Sequence, residues 1–299
     1  MNVTLYAYNL VEKRVRGKDI LDVNCFEKDF IKCIEILNKQ NLKSKSYKLL
    51  NKNKIIYIDR YEYLKDSHIL FMVFKSAEYG LIRKVVNTET MEEQKNKKKG
   101  KKDGDEETTC VVIKFDGKEN SKEAVCLLQV NAHGVTMSKI FEYLNMKIIA
   151  IHNADNDNIK YRINHFNIIS KDFLKALEKA NKIKTVKLVI DSELTGNSEF
   201  KDYANDNEDI SNEFEIIYKP SNKIGIGKNT VKKFFELYGR EGADIKKIRV
   251  DMNVADGNPL SFDTEKMKEK EYVTVTDTLS QEPNVDELRV QMIEKIKSY

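Results

Sequence analysis

The sequence predicts an α+β protein of two domains, each a mostly antiparallel sheet with packed helices. Three observations predict it. Short β-type runs follow one another as in a meander, with amphipathic helical stretches laid among them and no internal repeat. A length of 299 residues suffices for two ordinary domains with proper cores. The composition, 40% hydrophobic and 33% charged with 12 Gly and 3 Pro, excludes a disordered chain, a collagen-like repeat and a Pro-rich adaptor.

The first domain is expected over residues 1–145. It opens with a strand, Val3 to Tyr8, in which Val3, Leu5 and Ala7 alternate with Thr4, Tyr6 and Tyr8. A basic connector, Lys13-Arg14-Val15-Arg16-Gly17-Lys18, follows it. Asn24 can cap a helix whose apolar stripe is Phe26, Phe30, Ile34 and Leu37. Runs at Tyr47–Leu50, Lys54–Tyr61 and Ile69–Lys75 continue the meander. Leu81–Glu93 is amphipathic and leads outward. Residues 94–108 hold six lysines between Lys95 and Lys102, then Asp103, Asp105, Glu106 and Glu107. With no apolar group to offset ordering entropy, the sequence predicts a disordered, Lys-rich loop there. A hairpin (Cys110–Phe115 and Ala124–Val130) and a short helix capped by Thr136 close the domain.

The second domain is expected over residues 146–299. Met146–His152 reads as its first strand, ahead of the acidic turn NADNDN and Ile159–Ile163. Ser170 caps a helix carrying Phe173, Leu174 and Leu177, and Thr185–Ile190 is a nearly continuous apolar strand. Then come Phe214–Tyr218, a helix from Thr230 to Tyr238, strands at Ile245–Met252 and Tyr272–Val275, and a last helix with Val285, Leu288, Met292 and Ile296 on one face.

No apolar run approaches the ~20 residues of a membrane span. The opening MNVTLYAYNLVEKR lacks a signal pattern, so the expected location is cytoplasmic, without direct membrane insertion. Cys25, Cys33, Cys110 and Cys126 form no CxxC pair and are expected as reduced core thiols. Net charge is +4, unevenly spread: through Asn145 there are 27 Lys and Arg against 21 Asp and Glu. A basic front half hints at a polyanionic partner.

Enzymatic signals are few. His68, His133, His152 and His165 show no metal-ligand spacing, and neither HExxH nor GxSxG occurs. No catalytic residue, metal or cofactor is therefore expected. His152, Asp155 and Asp157 lie close in sequence, but a hydrated acidic turn accounts for them. Asp191 and Glu193 end an apolar strand and would be the carboxylates of a metal-dependent nuclease, the enzymatic alternative. Gly225, Gly227 and Lys228 precede a helix and could hold a phosphate, although the Walker spacing and the third dinucleotide glycine are both missing. Basic clusters are the remaining signal: Lys13, Arg14, Arg16 and Lys18; Arg83 and Lys84; and Lys223, Lys228, Lys232, Lys233 and Arg240, with Lys246, Lys247 and Arg249 nearby. Cations at suitable separations are all that phosphate neutralisation needs.

The order of segments resembles that of the RexA-like phage-exclusion family. VTLYAYNL with its basic connector, the strands ending in LIRKVV, CLLQVNAHGVTMSKIFEYL, LKALEKANKIKTVKLVI, and the tail from DIKKIRV through NVADGNPLSFD to the last helix carry the likeness. The insertion at Lys95–Glu107 and the acidic stretch Asp202–Asp209 depart from it. The resemblance implies a cytosolic sensor of an abortive-infection type of antiviral defence. Such a protein is homodimeric, binds double-stranded DNA with little sequence preference, and signals to a membrane-embedded effector protein. The residues expected to bind DNA are Lys13, Arg14, Arg16, Lys18, Arg83, Lys84, Lys228, Lys232, Lys233 and Arg240.

Overall fold

A computed structural model describes residues 1–14, 26–49, 53–80, 90, 104–118, 121–155, 161–191, 213–221, 225–238, 245–254, 259–278 and 282–299. In chain order the elements are β1 (Asn2–Arg14), α1 (Phe26–Lys39), α2 (Leu42–Lys45), β2 (Tyr47–Lys48), β3 (Lys54–Leu64), β4 (Ile69–Glu78), β5 (Asp105–Phe115) and β6 (Glu123–Gln129). There follow α3 (Met137–Ala154), β7 (Tyr161–Asn167), α4 (Lys171–Lys179), β8 (Ala180–Asp191), β9 (Glu213–Tyr218), α5 (Lys228–Tyr238), β10 (Ile245–Val254), β11 (Pro259–Asp263), α6 (Thr264–Met267), β12 (Lys270–Thr274) and α7 (Val285–Ile296). The α+β expectation holds, with an eight-stranded and a four-stranded antiparallel sheet. Among the described residues no helix is long and apolar enough to cross a membrane.

Two compact units result. One comprises Met1–His165 with Glu271–Tyr299, the other Phe166–Lys270. The larger unit holds the sheet β12-β1-β6-β5-β4-β3-β2, with β7 also paired to β1. On one face Phe30, Ile34 and Leu37 of α1 and Ile140, Leu144 and Ile148 of α3 meet Ile58, Met72, Ile113 and Leu128. α7 packs against β4, β5 and β6, burying Leu288, Met292, Ile293 and Ile296. Phe71, Val112 and Leu127, neighbours in register, carry the alternate side chains and are also buried. Burial of both faces explains why ILFMVF in β4 lacks alternation.

Three departures from the expected layout have local causes. Met146–His152 forms the second half of helix α3 and not a strand. Its β-branched run looks strand-like, yet Ile140, Leu144 and Ile148 keep one buried stripe at four-residue spacing. Asn145 ties that helix to β7, accepting from Ile163 N at 2.8 Å and donating to Ile163 O at 3.1 Å. The boundary expected at 145/146 thus falls inside α3, and the C-terminal tail returns to the first unit. Likewise, the loop expected over 94–108 is strand from Asp105 onward. Lys75 and Tyr57 explain this: Lys75 Nζ lies 3.0 Å from Glu106 and the Tyr57 hydroxyl donates to it at 2.8 Å. These contacts hold the Glu106 carboxyl below its ordinary range. Residues 94–103 lie outside the described residues. Finally, β1 runs on through Lys13 and Arg14, taking in the start of the expected connector.

The smaller unit is a sheet in the order β11-β10-β8-β9. Phe173 and Leu177 of α4 and Val231 and Phe235 of α5 bury against Ile183, Val186, Leu188, Ile248, Val250 and Met252. Ser170 caps α4 as expected, its hydroxyl accepting from Phe173 N at 3.1 Å.

Candidate functional site

The expected DNA-binding cations distribute unevenly. Lys13 is an exposed residue near the end of β1. Arg14 ends the same strand, and nothing is described of its side chain; Arg16, Lys18, Arg83, Lys84 and Arg240 lie outside the described residues. Lys228, Lys232 and Lys233 sit on the first half of α5 in the smaller unit. Lys13 belongs to the larger unit and the α5 group to the smaller.

Within the smaller unit the chain brings further lysines to α5. Lys171, Lys175 and Lys179 are exposed on α4 at four-residue spacing, which puts them in one row about 12 Å long. At the end of that row the Lys228 ammonium donates to the carbonyl of Glu178 at 2.6 Å. A cation suits the partially negative C-terminus of α4. The turn before α5 docks on the start of β8, where Ile226 N donates to Ile183 O at 3.2 Å. Gly225 makes this approach possible. Its φ is +95°, and a Cβ there would lie 3.1 Å from both Ile183 O and Lys182 Cγ. Lys182 therefore lies along the turn that delivers Lys228, and Lys232 follows one helical turn later. Lysines from three elements thus share one corner.

The open sheet face of the same unit differs. Lys187 pairs with Glu215 at 3.6 Å, Lys247 with Asp263 at 3.9 Å, and Thr185 donates to Asp251 at 2.7 Å. Lys187 and Lys247 are thus compensated in place, whereas among the described residues no ion pair takes up Lys175, Lys179, Lys182 or Lys232.

The residues of the enzymatic alternatives are placed as follows. The Ile226 amide, needed for a phosphate cradle at Gly225–Gly227, is spent on β8. Asp191 pairs with Glu213 in the β8–β9 ladder, while Glu193 lies outside the described residues. His152 Nε2 is 3.0 Å from Asp29, and Asp155 pairs with Lys32 at 3.6 Å. Asp157 is also outside the described residues.

Sequence reasoning missed two acid–histidine pairs anchored on α1. Glu27, buried, accepts from Tyr63 Oη at 2.6 Å and lies 2.9 Å from His68 Nδ1. They sit in a cleft of about 470 Å³ that Ile31, Lys65 and Gly117 also line. A carboxylate-held imidazole can transfer protons, but among the described residues no Ser, Thr or Cys lines the cleft to serve as a nucleophile. The second pair, Asp29 and His152, is joined by Cys33 and Tyr161. Cys33 is fully buried, and burial, reinforced by the Asp29 charge, pushes its thiol up to about 12. A thiol in that state is not a nucleophile. Cys110 and Cys126 are also free and buried, as expected of core thiols.

No protein-family model matches the chain, and no curated protein matches it.

Proposed function

We propose that this protein binds double-stranded DNA with little sequence preference through the lysine corner of α4, β8 and α5, as a cytoplasmic sensor of a phage-exclusion system. In this reading it acts as a homodimer and signals to a membrane-embedded effector. The observation that carries the proposal is the contact of Lys228 with the Glu178 carbonyl. It joins the row Lys171, Lys175 and Lys179 to Lys182 and Lys232, giving cations at intervals suited to a phosphate backbone. Because these are lysines, they act as point charges on phosphates and supply no fork for base edges.

Fluorescence anisotropy with two unrelated duplexes tests it. Both should bind with dissociation constants within about tenfold of each other, in the ~10⁻⁴–10⁻⁶ M range near physiological salt. The variant Lys179→Gln/Lys182→Gln/Lys232→Gln should bind both more weakly by a similar factor. No binding of either duplex at low salt would overturn the proposal. Cleavage of plasmid DNA in divalent metal, abolished by Asp191→Asn, would replace it with the nuclease.

A further inference from the structure

The geometry points to a buried zinc site formed by Asp29, Cys33 and His152 in the larger unit. Cys33 follows Asp29 by one turn of α1, so both side chains leave the same helical face. His152 arrives from the last turn of α3. Cys33 Sγ is 3.8 Å from His152 Nε2 and 4.0 Å from Asp29 Oδ2, and the last two atoms are 3.0 Å apart. A tetrahedral zinc with ordinary bonds to S, N and O sets edges of about 3.3–3.6 Å between its ligands. Shifts of a few tenths of an ångström bring the three atoms to those edges.

Hydrogen bonding alone serves this trio poorly. His152 Nε2 faces both the thiol and the carboxylate, yet an imidazole nitrogen carries at most one proton. If that proton goes to Asp29, the nitrogen cannot accept from Cys33, whose thiol is left with Asp29 Oδ2 at 4.0 Å as its acceptor. The sulfur contacts of 3.8 and 4.0 Å are at the far limit for a thiol. A cation between the three satisfies all of them, and the S, N, O donor set suits borderline-soft Zn²⁺ over Mg²⁺ or Ca²⁺.

Tyr161 supplies the outer support. Its hydroxyl donates to Asp29 Oδ2 at 2.6 Å, and its ring meets the His152 ring edge-on at 5.8 Å. As the donor of that hydrogen bond, the phenol orients the carboxylate and is not itself a ligand. Binding converts the Cys33 thiol to a thiolate and releases its proton to solvent, with no redox change. The metal would fasten α1 to the end of α3 beside β7. This site is independent of the lysine corner, and its test neither needs nor affects DNA binding.

Co²⁺ titration of the full-length chain, previously dialysed against chelator, provides the test. One equivalent should produce a thiolate-to-cobalt charge-transfer band and the visible bands of a tetrahedral centre, with release of about one proton, and Zn²⁺ should bleach them. Cys33→Ser should lose the charge-transfer band. Tyr161→Phe should keep the band with affinity about tenfold lower, a loss that a purely packing role for Tyr161 would not produce. Absence of the band from the folded wild-type chain overturns the inference, without recourse to any variant. Persistence of the band in Cys33→Ser also overturns it, by assigning the metal to another cysteine.

Discussion

His165 should make the larger unit acid-sensitive. Its ring stacks on Phe141 at 5.7 Å and meets Tyr8 edge-on at 6.0 Å, while Ser138 Oγ lies 3.3 Å from its Nε2. Burial lowers the imidazole from 6.5 to about 4. The folded form is therefore neutral across a range where the unfolded chain is already protonated. Between pH 6.5 and 4 the unfolded state binds more protons, so stability present above pH 6.5 is lost as the pH falls toward 4. The two values set a ceiling of about 3.5 kcal/mol, at about 1.4 kcal/mol for each tenfold change. Since the ring keeps some solvent contact, about 2 kcal/mol between pH 7 and pH 4.5 is the expected share. Guanidinium denaturation followed by circular dichroism, at both pH values, measures it. His165→Phe keeps the stacking ring and removes the proton site, so wild type should lose about 2 kcal/mol more than the variant on acidification. Equal losses in the two proteins would refute the burial argument, because every other titrating group is common to both.

The helical assignment of 146–152 has a direct test by residue phase. Ile148→Ala should cost about 2–5 kcal/mol because Ile148 is fully buried, whereas Ala150→Lys at an exposed position should stay within about 0.5 kcal/mol. In a strand the two residues would share a face, and both changes would be costly. Gly117 has φ +70°, and a Cβ there would fall 2.8 Å from the His68 ring. Gly117→Ala should cost about 1–2 kcal/mol through its left-handed backbone alone; an unchanged denaturation midpoint would contradict the assigned turn. Leu288→Ala in α7 should likewise cost about 2–5 kcal/mol, showing that the C-terminal helix is core to the larger unit.

Much of this fold is legible in the sequence where a single element declares itself. Phe26, Phe30, Ile34 and Leu37 mark α1 by spacing, Ser170 marks the start of α4, and Asn284 accepts from Asp286 N and Glu287 N to start α7. Legibility fails where long-range partners decide. Ile148 and Ile151 look like strand residues until Ile140 and Leu144 are seen to extend their stripe backward. Asp105 to Thr108 look like loop until Lys75 and Tyr57 of neighbouring strands receive Glu106. The return of the tail to β1, where Met1 N donates to Val275 O at 2.7 Å, spans 274 residues and leaves no local signature.

The candidate sites follow the same rule. Lys228 and Lys232 stand out because Lys228 directly follows a glycine turn and Lys232 comes one helical turn later. Lys171, Lys175 and Lys179 also sat in plain view at four-residue intervals, but their meeting with α5 depends on Gly225 docking against β8. Asp29 and Cys33 are one helical turn apart, while the histidine they face is 119 residues beyond Cys33. Proximity in sequence instead linked His152 with Asp155, whose carboxylate turns to Lys32.

The dependence of duplex affinity on salt tests the central reading most directly. Log-log plots of association constant against salt concentration should be linear for the wild-type chain. Each phosphate-contacting lysine should contribute about 0.9 to the slope. Replacing Lys179, Lys182 and Lys232 with Gln should therefore flatten it by about 2–3, while replacing Lys187 and Lys247, whose charges are already paired, should change it by less than about 1. An identical slope in the wild type and the triple variant would show that the lysine corner does not hold DNA.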